Sequence, residues 1–471
     1  MRATRVTRIA AAAALASVLA GCALKAPPTV ADLQKEALPN TAVPSAFKAG
    51  AGVAAPVAER WLASFNDEAL SALVDEALTF NADLQGAALR VERATGYLRV
   101  ASASLLPSVD LFGTGSGASS NSTSGLNGLW LNASLELDIW GRIRYGAAAA
   151  QADAEALAAD FAYARQSLAA MVAKSWFLAT EAGLQRSIVQ DMLRSSESVL
   201  GLSRDRLRIG NGTEQDVAVA RANVGSYRDM LRQADLSREQ ALRALELLLG
   251  RYPSAEVAVA PKLSAMPAPV PVGLPSELLE RRPDVVAAER RVAAAFNRVG
   301  EAQAARLPRI SLTAGISAIS SDVVVLQDRD NPAWGLGANL LAPIYQGGAL
   351  RAQVDIRTTE QKQAVAAYAS VGQRAFGEVE NALSAEFALN DREAILQANV
   401  RDNERALELT KTQFRVGSTD QRAVEQRLLA LHSARTSLLR VQSERLAQRI
   451  NLHLALGGSF SETTSGPVAT R

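Results

Sequence analysis

Two short polar turns carry the side-chain chemistry that stands out in this sequence. One reads Gly210-Asn211-Gly212-Thr213-Glu214-Gln215-Asp216, the other Gly417-Ser418-Thr419-Asp420. Each leading glycine follows a run with helical spacing and suits a left-handed C′ cap. Thr213 and Asp420 suit the N-cap of the helix that comes next. Capping alone accounts for both turns. Charge offers a second reading: Glu214, Asp216 and Asp420, repeated by oligomer symmetry around an opening, would form a ring that attracts cations and repels itself. Arg415 and Arg422 flank the second turn and could instead pair with these acids across helices, locking such an opening. Both readings stand at the level of the sequence.

Catalysis needs a constellation, and none is present. The two histidines, His432 and His453, lie on the last helical run among neighbours expected to be exposed. No carboxylate pairing gives them a metal-ligand set. No glycine-rich phosphate loop follows a strand, and there is no nucleophile elbow. The expectation is a protein without enzymatic activity or cofactor. With 48% apolar and 21% charged residues the chain is not disordered throughout, and 50 basic against 48 acidic residues leave no nucleic-acid footprint.

The amino terminus reads as a targeting segment. Arg2, Arg5 and Arg8 form a basic region, and Ile9 to Leu19 an apolar run too short to span a bilayer comfortably as a helix. The run ends at Leu19-Ala20-Gly21-Cys22, which resembles the lipobox of bacterial lipoproteins. That resemblance implies a signal peptide over 1–21 and an acylated Cys22 as the mature amino terminus, with Ala23 favouring the outer membrane. Cys22 is the only cysteine, so one chain can form neither a disulfide nor a thiolate cluster. Removing three arginines and no acid takes the formal charge from +2 to −1.

The elements that position the turns follow from proline and from repetition. No proline falls between Pro107 and Pro253 or between Pro343 and Pro467, whereas seven lie from Pro253 to Pro283. That cluster marks an extended connector over 251–281. The chain on either side repeats: "RDRLRIGNGTEQDV" pairs with "KTQFRVGSTDQRAV", "LELDIWGRIR" with "LLAPIYQGGALR", and "LELLLG" with "LHLALG". This divides the protein into an N-terminal lipidated segment (22–66), a first repeat (67–250), the connector, a second repeat (282–458) and a tail (459–471).

Each repeat changes periodicity twice. After Pro107 and after Pro308 a charged, Ala-rich helical run gives way to alternation, predicting strands over about 107–119, 128–140, 308–320 and 333–345. Leu129, Leu131, Ala133, Leu135 and Leu137 share one face, and Asn132, Ser134, Glu136 and Asp138 the other. Leu336, Ala338, Leu340 and Ile344 likewise oppose Gly335, Gly337 and Asn339. Pro343 closes the last strand region. Strands of about ten residues suit a tilted membrane crossing, and Trp130, Trp140, Trp334 and Tyr345 suggest aromatic girdles. Parity sets Trp130 and Trp140 on the polar face, so a bulge or other strand limits are expected there. Four strands cannot close a barrel, and open edges are not tolerated in lipid, so several copies must contribute. A water-filled channel needs at least three. A soluble sandwich also alternates, but four strands in two distant hairpins make a poor one.

From Gly141 to about Ile209, and from Gly347 to about Val416, apolar residues recur at three- and four-residue steps. Phe376, Val379, Leu383 and Phe387 are an example. At 1.5 Å per residue each run would reach about 100 Å. Shorter helices over 82–104 and 213–249 would stack into an equivalent length, giving a tube of staves. The bland alternative is a set of spacer coiled coils without a lumen.

The stretches "RWLASFNDEALSALVDEAL", "LDIWGRIR", "RRPDVVAAERRVAAAFNRVGEAQAARLPRISLT", "PIYQGGALRAQV" and "GEVENALSA" resemble the outer membrane factors of the TolC type, in their lipid-anchored, NodT-like and OprM-like efflux branch. The resemblance spans nearly the whole mature chain. It implies an α+β membrane protein: a homotrimer whose 12-strand transmembrane β-barrel continues into a 12-helix periplasmic barrel, with a mixed equatorial domain. It also implies docking to a periplasmic adaptor and an inner-membrane pump, of RND type in this branch, and a passive conduit for small molecules. Gly417 and Asp420 match the family's second tip, and Gly210, Glu214, Asp216 and Val217 the first. The second tip departs from the pattern where Gln421 and Arg422 replace Tyr-Leu and Gln426 replaces Asp. The same tunnel would also serve type I protein secretion, and a non-conducting envelope spacer is the alternative of another class.

Overall fold

A computed structural model of the 471-residue chain describes residues 24–49, 60–114, 126–321 and 333–459. Cys22 and the signal segment lie outside the described residues, as do 115–119 of the first expected strand and 460–471 of the tail.

Three helices and two strands of the first repeat have counterparts in the second. After α1 (Val30–Ala37), α2 (Glu68–Phe80) and α3 (Ala82–Ala103) come β1 (Ser108–Thr114), β2 (Leu126–Leu137), α4 (Arg142–Arg208) and α5 (Glu214–Leu248). The short α6 (Leu278–Arg281) precedes α7 (Pro283–Ala304), β3 (Arg309–Ser321), β4 (Ala333–Leu341), α8 (Ala349–Arg415) and α9 (Gln421–Ala455). The pairs α3 and α7, α4 and α8, and α5 and α9 have 22, 67 and 35 residues respectively in both members. No helix among the described residues is long and apolar enough to cross a membrane.

Local chemistry sets these ends. Each of the four longest helices stops at a left-handed glycine: Gly210, Gly250, Gly417 and Gly457 have φ between 71° and 81°. The residue after each donates its amide back across the last turn, Asn211 to Arg206, Arg251 to Glu246, Ser418 to Gln413 and Gly458 to His453. With the matching bond from each glycine, this is the Schellman arrangement that satisfies orphaned carbonyls.

The chain forms two compact units. One comprises residues up to Ala42, Leu89–Asp160 and Asp284–Val371; the other comprises Val43–Ala88, Phe161–Pro283 and the chain from Gly372 on. The helices α3, α4 and α8 contribute to both.

The first unit holds one antiparallel sheet in the order β1-β2-β3-β4. Its register is continuous, with Val109 opposite Ala133, Leu135 opposite Leu312 and Leu312 opposite Ala338. Arginines of α7 meet acids of α4 in a ladder, with Arg298 on Asp153, Arg291 on Asp160 and Arg290 on Glu155. A Cβ on Gly300 of α7 would lie 2.7 Å from the Tyr145 ring, so glycine there permits the close approach to α4.

The second unit is organised around Trp61, Phe65, Leu70 and Val74, packed with Trp176, Phe177, Leu245 and Ile450. Asp67 caps α2 by accepting from the Leu70 amide (3.0 Å) and takes the Trp176 indole N–H (2.9 Å). The connector over 251–274 contains no helix or strand, and no strand lies outside the four-stranded sheet among the described residues.

Two strands end earlier than their sequence pattern. β4 stops at Leu341 because Pro343 has no N–H to continue the ladder, which leaves Ile344 and Tyr345 outside the strand and exposed. β2 stops at Leu137, where Asp138 turns to cap α4. His453 also departs from expectation: it is 3% exposed, stacked on Trp61 with ring centroids 5.7 Å apart.

Candidate functional site

The candidate residues fall in two places, the sheet with its junction to α4, and the turns that join the long helices.

The sheet divides its side chains cleanly. Val109, Leu111, Leu129, Leu131, Leu312, Ile316, Trp334, Leu336 and Leu340 occupy one face and are all exposed. An apolar surface of that extent facing no protein marks contact with lipid or another chain. The opposite face carries Asn132, Ser134 and Glu136 with Ser108, Ser311 and Thr313. The Ser108 and Ser134 hydroxyls are 2.9 Å apart. Trp130 lies on this polar face opposite Phe112, with no bulge to move it. Trp140 lies beyond β2, so strand parity does not govern it. Its indole N–H donates to the Pro308 carbonyl at 2.7 Å, tying the start of α4 to the start of β3.

Asp138, expected on the polar strand face, sits past the strand end. Its carboxylate accepts from the amides of Ile143 (3.0 Å) and Arg144 (2.9 Å), and from the Arg144 side chain. Glu136 is held by two bonds from Arg142 (3.1 and 2.8 Å). The segment "LDIWGRIR" is thus a strand-to-helix clamp: a carboxylate at a helix N-terminus, a left-handed Gly141, and two arginines reaching back. Pro107 and Pro308 each immediately precede a strand, and Pro343 follows one.

At the turns, Thr213 and Asp216 form a reciprocal capping box on α5. The Thr213 hydroxyl accepts from the Asp216 amide (3.1 Å), and Asp216 accepts from the Thr213 amide (3.0 Å). Bonds from the Thr213 side chain and backbone hold the Asp216 carboxyl below its ordinary range. Asp420 caps α9 by accepting from the Ala423 amide (2.9 Å). Glu214 occupies the first turn of α5. Arg422 approaches Asp420 to 3.7 Å, both side chains well exposed, and its charge also acts on Asp216 across the helices. Arg415 is exposed and forms no ion pair among the described residues.

The residue that joins the two turns is Arg206, which sequence reasoning did not single out. Its guanidinium donates to the carbonyls of Asn211 (3.3 Å) and Phe414 (3.2 Å) and lies 4.7 Å from the centroid of the Phe414 ring. A cation in the last turn of α4 thereby satisfies carbonyls at the C-termini of both long helices. Its place in the last helical turn was a visible signal; its second partner, 208 positions away, was not. Beside it Ser203 bonds to Gln421 (2.7 Å), and Arg206, Asp216, Phe414, Gly417 and Asp420 line a cleft of about 380 Å³.

A family profile described as outer membrane efflux protein matches residues 73–251 and 274–458. Among curated relatives, the cation efflux system protein CusC of Escherichia coli O6:H1 is 32% identical over 464 residues, covering 95% of this chain and 98% of that protein. The pyoverdine export outer membrane protein OpmQ of Pseudomonas putida is 30% identical over 424 residues, 85% of this chain and 88% of that protein. Among solved structures, the outer-membrane channel OprN superposes with a TM-score of 0.79 at 26% identity, covering 90% of this chain and 99% of that one. A duplicated unit with an amphipathic four-stranded sheet and paired 67-residue helices, matched over both halves, places this chain in the outer membrane efflux protein family, as an outer-membrane efflux channel component.

Proposed function

We propose that three copies assemble into one conduit. The observation that carries this reading is the sheet: four strands with an exposed apolar face and two unpaired edges, β1 and β4. Pairing β1 of one copy with β4 of the next removes both edges, and three copies give twelve strands around a space wide enough for water. The apolar face then meets lipid, and Asn132, Ser134 and Glu136 line the lumen. The long helices continue the wall into the periplasm. Cys22 carries the lipid anchor, as its place at the end of "LAGC" supports.

In this reading the turns form the periplasmic end of the conduit and dock a membrane-fusion adaptor and an inner-membrane pump of RND type. The channel itself is passive, and the pump selects the cargo. Relatives named for cation efflux and for pyoverdine export are about equally similar to this chain, which supports a conduit indifferent to cargo chemistry. Glu214, Asp216 and Asp420, with Arg415, Gly417 and Arg422, form the gate in three symmetry-related copies.

Planar-bilayer recording tests the assembly. Wild type is expected to give discrete openings. Leu135→Arg places a cation on the lipid face at a cost of about 2–4 kcal/mol near the bilayer midplane and should block assembly. Ser134→Arg, on the lumen face, should assemble with altered conductance. Equal assembly defects at both positions, or no discrete openings in wild type, would overturn the reading. Cys22→Ser should abolish palmitate incorporation; unchanged labelling would refute the anchor.

A further inference from the structure

Behind the turns, the seam between the α4/α5 hairpin and the α8/α9 hairpin is polar in an otherwise apolar setting. Tyr227 packs with Met192, Val199, Leu407, Phe414, Val424 and Leu428. Into this cluster α9 inserts Gln421 and Glu425, one helical turn apart and 4% and 7% exposed. The Gln421 side-chain carbonyl accepts from Ser203 of α4, but its amide nitrogen has no partner. Asn223 of α5 lies beside Glu425 and favours its charged form, yet Glu425 Oε1 has no hydrogen-bond partner. The Tyr227 hydroxyl, on a residue 3% exposed, is also unpartnered. A buried polar group left in this condition costs about 1–3 kcal/mol, and three lie at this one seam.

We propose that Glu425 is a proton-operated latch between the two hairpins. With its carboxyl neutral, the first turns of α9 stay packed on α4 and α5. When the carboxyl ionises, a charge with no counter-cation lies buried at a seam that offers it only the Asn223 amide and the Tyr227 hydroxyl, and the seam must open to admit water or a cation. Burial pushes the Glu425 carboxyl up, partly offset by Asn223, and burial with the Glu425 charge pushes Tyr227 up to about 12. Tyr227 therefore remains a neutral donor throughout the range in which Glu425 titrates.

The groups facing Glu425 are Asn223 and Tyr227 from α5. From α4 comes Ser203, through its bond to Gln421, and among the described residues no cation acts on the Glu425 carboxyl. The α8 residues of the cluster, Leu407 and Phe414, are apolar. A carboxyl whose value is raised in the packed state stabilises that state below its ordinary value and loses the contribution as pH rises through the raised value. The latch thus closes in acid and loosens toward alkali. It concerns the hairpins alone and does not depend on the assembly proposed above.

The test places spin labels at Asn211 and Ser418, exposed positions on the two turns, in the full chain, and follows their separation from pH 5 to 9. Wild type should shift from a narrow, short distribution to a broader, longer one as pH rises. Glu425→Gln, isosteric and uncharged, should keep the short distribution throughout. Tyr227→Phe, which removes a donor available to the carboxylate, should move the transition to higher pH. A wild-type distribution that does not change with pH would overturn the latch, as would Glu425→Gln shifting in step with wild type. These readouts need no conducting channel, so they fail or succeed separately from the bilayer recordings.

Discussion

The ends of α5 and α9 are the same piece of backbone used for different chemistry. Both helices run 35 residues, both finish in a glycine with φ above 70°, and both return an amide to the residue four before that glycine. In the first repeat that residue is Glu246, 1% exposed, whose carboxylate accepts from the amides of Ala255 (2.7 Å), Glu256 (2.8 Å) and Val257 (3.3 Å). In the second it is His453, whose two ring nitrogens have no partner and whose ring lies on Trp61. Backbone geometry follows from local rules that duplication preserves. The side chain at the equivalent place instead answers to what each helix end meets, which is the connector in one case and the amino-terminal segment in the other.

The largest effect is expected at Glu246. Burial pushes its carboxyl up, but the three backbone donors outweigh this and hold it below its ordinary range. Glu246→Ala strands three amides at a cost of about 3 kcal/mol or more. Thermal unfolding of detergent-solubilised protein should show the loss, and limited proteolysis should show new cleavage within 251–260. If Glu246→His is tolerated as well as wild type, the two helix ends are interchangeable and the contrast fails.

His453 should respond to pH with a sign set by its burial. Burial, with the Arg449 guanidinium second, pushes the imidazole down to about 3, so it stays neutral in the folded chain while the unfolded chain binds a proton near 6.5. Stability should fall as pH drops below 6.5, by at most about 1.4 kcal/mol per pH unit from this group. His453→Phe keeps a ring on Trp61 and should flatten that part of the profile between pH 6.5 and 5. Parallel profiles for the two proteins would place the acid sensitivity elsewhere.

The smallest effects belong to the turns. Thr213 and Asp216 share a reciprocal box, whereas Asp420 caps alone. Asp216→Ala and Asp420→Ala should each cost about 1 kcal/mol of helix stability. Conduction separates their further roles. Loss of an attractive ring lowers cation selectivity, and loss of a lock raises open probability and admits larger molecules. Asp420→Ala indistinguishable from wild type in both single-channel measures would leave it a cap only.

What could be read from the sequence divides along the same line. Helices over 142–208 and 349–415 were legible because proline-free runs, glycine stops and capping side chains are signals within a few residues. The proline that shortens β4 was equally visible, yet alternation through Ile344 outweighed it. The partners of Arg206, Glu425 and His453 come from segments remote in the chain, and no local pattern announces them. His453 looked exposed from its neighbours, but it is buried with its ring on Trp61, 392 positions earlier.

The hold of Arg206 on Phe414 also constrains how this chain can change in length. The two 67-residue helices deliver their last turns to the same guanidinium. Deleting seven residues from one alone would displace its turn by about 10 Å, beyond the reach of that side chain. Within the second unit, a change of length in α4 alone would therefore part Arg206 from Phe414, whereas a matched change in α8 would keep them together, a common ruler for two stretches whose side chains diverge.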